Sequence, residues 1–146
     1  MNRTFYSLPF DFDALMNQRE HSKCSLAQSV EQHLHLILTT AYGELPGEED
    51  FGCSIWEHDF DNTTSGHKLK ELIKQSLLKS VKQYEHRLNS VRIELLVREE
   101  ELTDNMKGRS VKKRIDITIT GILHSTNENF IYSDSFYTGP LSYQSI

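Results

Sequence analysis

Two hydrophobic rhythms divide the chain. Between residues 26 and 41 apolar side chains fall at Leu26, Val30, Leu34, Ile37, Leu38 and Ala41, steps of three and four that mark one buried stripe of a helix. Ser25 and Gln28 stand at the spacing of a capping box before that stripe, and Gly43 supplies a C-terminal stop. A second helix is predicted from about Ser65 to about Tyr84, with Leu69, Leu72, Ile73, Leu77, Val81 and Tyr84 on its stripe. Lys68, Lys70, Lys74, Lys79 and Lys82 take its other faces, a solvated surface first and a contact for an acidic partner second.

From residue 90 the period becomes two. Val91, Ile93, Leu95 and Val97 alternate with Arg92, Glu94 and Arg98, and Ile115, Ile117 and Ile119 alternate with Asp116, Thr118 and Thr120. Asn129 to Ser135 reads as a third, shorter strand after a polar turn, His124 to Glu128. Short connections favour an antiparallel meander. Its longest strand is expected at residues 111–122, paired on both sides, with outer edges free to take a strand from another chain. A charged loop is expected between the first two strands, Glu99 to Glu101 facing Lys107, Arg109 and Lys112 to Arg114 as cross-strand charge matching. The fold class is therefore α+β: two helices packed on a small three-stranded antiparallel sheet. Residues 1–24 form an N-terminal arm and 25–146 the domain.

The segment between the helices, Tyr42 to Asp61, combines turn residues (Gly43, Pro46, Gly47, Gly52) with Phe51, Ile55, Trp56 and Phe60. Such apolar side chains in a loop must be buried, on the chain's own core or on a partner. The arm carries Phe5, Tyr6, Phe10 and Phe12, and Pro9 biases Leu8 towards an extended form. It is read first as a tail folded over the domain and second as a docking arm.

Composition narrows the classes. The 146 residues suit one domain, and 37% hydrophobic with 25% charged residues is globular, on the polar side. A net charge of −5 argues against a general affinity for nucleic acid. No run of about 18 apolar residues predicts a membrane span, and no long apolar stretch near residue 1 predicts a secretory signal. Two cysteines, Cys24 and Cys53, make no disulfide framework, so a reduced, cytoplasmic setting is expected.

Candidate chemistry is thin. His33 and His35 lie two apart and point to different faces, and His21 with Cys24 lacks a second ligand pair, so no metal and no cofactor are expected. Cys53 reads as buried and inert. Glu44, Glu48, Glu49, Asp50, Glu57 and Asp59 supply carboxylates around the central loop. Glycoside hydrolysis needs two of them at about 5–10 Å, one with a raised pKa, and nothing singles out such an acid.

The segment Gly43-Glu44-Leu45-Pro46, followed by Asp50-Phe51-Gly52-Cys53 and Ile55-Trp56, resembles the Gly-Glu-Arg-Pro and Phe-Gly segment of the gpW/gene-25-like baseplate wedge family, which includes the type VI secretion subunit TssE. Glu85-His86-Arg87 is similar to that family's Glu-Pro-Arg motif at the end of its second helix. The resemblance runs from about Ser25 to Ser135. Leu45 replaces the family's Arg, and His86 replaces its Pro and keeps the N–H that Pro lacks. The resemblance implies a structural part of a contractile injection machine in the bacterial cytoplasm, and no enzyme. Its partners would be TssF-like and TssG-like wedge proteins and the sheath. Glu85, Arg87, Phe51, Trp56, Phe10 and Phe12 would be its contact residues. A small soluble anti-adaptor of the same fold class and a wall hydrolase are the alternatives.

Overall fold

The computed structural model describes residues 4–56, 66–104, 106, 108–138 and 144–145. The arm opens with β1 (Phe5–Tyr6), α1 (Phe12–Met16) and β2 (Lys23–Cys24), where β1 and β2 pair as a small antiparallel hairpin. Asp11 caps α1 by accepting the Ala14 N–H at 2.9 Å. His21 holds this folded arm together. It is 5% exposed, with Nε2 2.7 Å from the Ser7 carbonyl and Nδ1 accepting the Asp11 N–H at 3.3 Å.

Helix α2 (Leu26–Thr39) begins with the expected capping box, Ser25 and Gln28 each bonding the other's backbone N–H. It ends before Gly43, which the sequence offered as the stop. The Thr39 hydroxyl donates to the His35 carbonyl at 2.7 Å and the Thr40 hydroxyl to the Leu36 carbonyl at 2.6 Å, satisfying the last turn without glycine. Thr40 is already extended, and Ala41 forms a parallel bridge with Cys53. A 3-10 turn, Ser54–Trp56, leads on, and α3 follows at Gly66–Tyr84.

Strands β3 (Leu88–Asp104), β4 (Gly108–Leu123) and β5 (Asn129–Thr138) form the expected antiparallel meander, and β6 (Gln144–Ser145) adds a short fourth strand. The charged stretch expected as a loop is instead strand on both sides. Its register sets Glu99 opposite Lys113, so acidic and basic positions face each other within a continuous ribbon. That extension makes β3, at 17 residues, the longest strand, where the central one was expected. The outer edge of β3 is unpaired among the described residues, while β6 covers the edge of β5 at Phe136 and Tyr137.

Both helices lie over one face of the sheet. Val30, Leu34, Ile37 and Leu38 of α2 and Leu69, Ile73, Leu77 and Val81 of α3 are buried with Ile93, Leu95, Ile115, Ile117, Ile119, Phe130 and Phe136. Leu72, assigned to the α3 stripe, is 47% exposed, and Ser80 is buried in its stead. The opposite sheet face carries an Asp116 cluster. Arg114 Nε donates to Asp116 at 2.8 Å, Ser135 Oγ at 2.5 Å, and Arg98 adds an ion pair from β3. Burial would raise the Asp116 pKa, but those three hydrogen bonds bring it down to about 2.

Candidate functional site

Glu85 sits where α3 hands over to β3. Its side chain reaches only 2% exposure, which a carboxylate tolerates when fully paired. Arg87 supplies the pairing through the two-pronged geometry only a guanidinium gives. Its Nε donates to Oε1 at 2.8 Å, Nη2 to Oε2 at 2.7 Å, and its backbone N–H to Oε1 at 3.0 Å. His33, from α2, brings Nδ1 to 2.7 Å from Oε2. Arg87 also donates from Nη1 to the Ser29 hydroxyl of α2 at 2.8 Å. Burial alone would raise the Glu85 pKa; the bonds from Arg87 and then His33 outweigh it and pull the value from 4.5 down to about 2.

Aromatic rings extend this clamp in both directions. The Arg87 guanidinium lies 5.3 Å from the centre of the Phe5 ring, a cation–π contact that fastens β1 to the clamp. His33 stacks on Phe51 at 6.0 Å between centroids, and Phe51 meets Tyr84 edge-on at 5.0 Å. Tyr84 donates its hydroxyl to Glu48 at 3.1 Å. Arm, α2, central loop and the α3–β3 junction therefore meet around one carboxylate.

The central loop is pinned along its length. Gly52 has φ +122, and a Cβ there would lie 2.3 Å from the Thr40 carbonyl oxygen, so only glycine fits. Its own carbonyl accepts the Ser80 hydroxyl of α3 at 2.5 Å. The Ser54 and Ser76 hydroxyls stand 2.7 Å apart. Trp56 donates Nε1–H to the Leu38 carbonyl at 2.8 Å, filling one of the acceptors that a helix end leaves open, and its ring meets Phe136 edge-on at 5.7 Å. Cys53 is buried with its thiol 3.4 Å from the same carbonyl.

The structure thus brings together three of the six residues singled out from the sequence. Glu85, Arg87 and Phe51 belong to one network, while Trp56, partly buried, packs against the core at Phe136 of β5. Phe10 and Phe12 sit on the arm, 50% and 70% exposed, with ring centroids 6.4 Å apart. Phe5, read with them, faces Arg87 instead. His33 and Ser29 complete the clamp and were not predicted; they are 52 and 58 residues from their partners, and only the helical face they share with Leu26 and Val30 hinted at a common side. Glu57, Asp59 and Phe60 lie outside the described residues. Among the described residues no group of three His, Cys, Asp or Glu is arranged to hold a metal ion, and no helix is long and apolar enough to cross a membrane.

These features define a small α+β module whose buried charges are spent on joining its own elements. The family model for baseplate wedge protein gp25 matches residues 24–128. The chain belongs to this baseplate wedge family, and is a baseplate component of the kind found in phage tails and contractile injection machines, where it contacts other baseplate proteins. A crystal structure of a Geobacter sulfurreducens protein, solved under the provisional name of tail lysozyme, is similar over 84% of this chain and 100% of that one, at 25% identity and a TM-score of 0.57. Curated proteins show no match.

Proposed function

We propose that this chain is a TssE-like wedge subunit of a type VI secretion baseplate in the bacterial cytoplasm. It joins TssF-like and TssG-like wedge proteins and offers a strand edge on which sheath subunits begin to assemble. It works by binding and breaks no covalent bonds. The observation that carries this reading is the state of Glu85: buried, ionised and engaged by donors on both oxygens, it serves as a strut. The open edge of β3, which runs from Leu88 to Asp104, supports the templating role, because an unpaired ladder can accept a strand through main-chain hydrogen bonds.

The test is a Glu85→Ala, Arg87→Ala double variant in the native cell. Removing both partners leaves no bare buried charge, so the domain is expected to stay folded, while fluorescent sheaths fail to form. Sheaths of normal number and length in that variant would refute the assigned role. The name of the structural relative favours wall hydrolysis as the second reading. A glycosidase acid must hold its proton near neutral pH; Glu85, the buried carboxylate of the clamp, is held at about 2 and is not such an acid.

A further inference from the structure

An open groove of about 600 Å³ runs between the arm and α2. Leu8, Pro9 and Phe10 line it from the arm, His35 and Leu36 from α2, and Tyr132 from β5. The lining is almost wholly apolar, yet Phe10 and Leu36 remain 50% and 42% exposed. Exposed apolar surface gathered in one concavity is a surface waiting for cover. Its walls are already fixed: the Leu8 N–H donates to Gln32 Oε1 of α2 at 3.0 Å, and the ring of Phe10 packs on buried His21 at 5.3 Å between centroids. A partner would meet a formed groove and lose little free energy in ordering it.

Two features say what fits. Glu31 also lines the groove, half-buried, and has no ion-pair or hydrogen-bond partner among the described residues. The Asp134 carboxylate adds a second negative charge on this side, with His35 Nδ1 at 2.8 Å and the Tyr132 hydroxyl at 2.6 Å on one oxygen and the Ser135 N–H at 2.9 Å on the other. This end of the groove is therefore negative. The arm wall also offers little main chain for pairing: the Leu8 N–H is spent on Gln32 and Pro9 has none. An extended peptide would leave its own backbone unsatisfied here, while a helix brings its hydrogen bonds with it.

We propose that this groove receives an amphipathic helix of a neighbouring baseplate protein, which sets two apolar side chains one turn apart against Phe10 and Leu36 and a Lys or Arg against Glu31. This deepens the baseplate reading and rests on it for the source of the helix.

The full-length chain, labelled with nitrogen-15, is titrated with a short alanine-based helical peptide carrying two leucines one turn apart beside an arginine. A twin peptide carries glutamate in place of the arginine. The arginine peptide is expected to move the amide resonances of Leu8, Phe10 and Glu31 to Leu36. Glu31→Lys should weaken it about tenfold, a 1.4 kcal/mol change, and reverse the preference towards the glutamate twin. Leu36→Asp should abolish both. Thermal melts check that these surface variants stay folded. Binding of the two peptides with equal affinity, indifference to Glu31→Lys, shifts confined to other surfaces, or no binding would each overturn the proposal. Normal sheaths in the Glu85, Arg87 double variant would overturn the baseplate reading and leave the groove result standing, so the two failures are told apart.

Discussion

Substituting Glu85 by Gln removes the charge and keeps the shape, which isolates what the clamp contributes. In the folded chain the Glu85 pKa is about 2, against 4.5 for a free carboxylate. The difference corresponds to about 3 kcal/mol of folding free energy at 1.36 kcal/mol per pH unit. Because the folded value is the lower one, this contribution is complete above pH 4.5 and fades as the pH falls towards 2. At pH 3 roughly 1 kcal/mol of it remains by the same linkage relation. A glutamine cannot titrate, and its amide turns a donor towards Arg87 or His33, which adds a penalty that does not vary with pH. Urea unfolding of the two proteins, followed by circular dichroism at matched ionic strength, should show a stability gap that is widest at pH 7 and narrows by about 2 kcal/mol at pH 3. Asp116, also held at about 2, titrates in both proteins and cancels in the difference. A gap of the same size at pH 7 and pH 3 would show that the carboxylate is not held ionised by its partners.

Gly52→Ala places a methyl group against the Thr40 carbonyl at a left-handed φ, and should lower stability by more than about 2 kcal/mol in denaturant melts; a neutral effect would mean the loop is not pinned there. Trp56→Phe keeps the ring against Phe136 but removes the donor to Leu38, and should cost about 1 kcal/mol in thermal melts with the fold unchanged. Purified protein should release no soluble fragments from peptidoglycan. Turnover that disappears when a single loop carboxylate such as Glu44 becomes Gln would contradict the binding role.

Local rules carried the reading of the sequence where the signal was local. The α2 capping box needs only Ser25 and Gln28, and the strand rhythm of Ile115, Ile117 and Ile119 needs only alternation. The α2 terminus was misplaced because threonine hydroxyls at 39 and 40 close the helix by a competing route that glycine statistics do not see. The charged half of the β3–β4 ribbon was hidden for a related reason: away from the core no apolar alternation is required, and pairing there shows in opposed charges such as Glu99 and Lys113. The clamp was half legible. Glu85 and Arg87 are near neighbours in sequence and stand out together as one motif, but burial of Glu85 and recruitment of His33, Ser29 and Phe5 depend on tertiary packing. Leu72 and Ser80 show the limit of a helical stripe, since its width is set by what packs against it.

The position of that clamp has a mechanical consequence. A load applied along β3 passes at its first residues into α3 through the chain and into α2 through Arg87 and His33. Drawing α2 away from that junction takes His33 from Glu85 and Ser29 from Arg87 together, and leaves a buried ion pair short of its partners. The joint therefore has no partly stretched state of low energy: it transmits force stiffly up to a limit and then yields all at once, as a rivet does and a hinge does not.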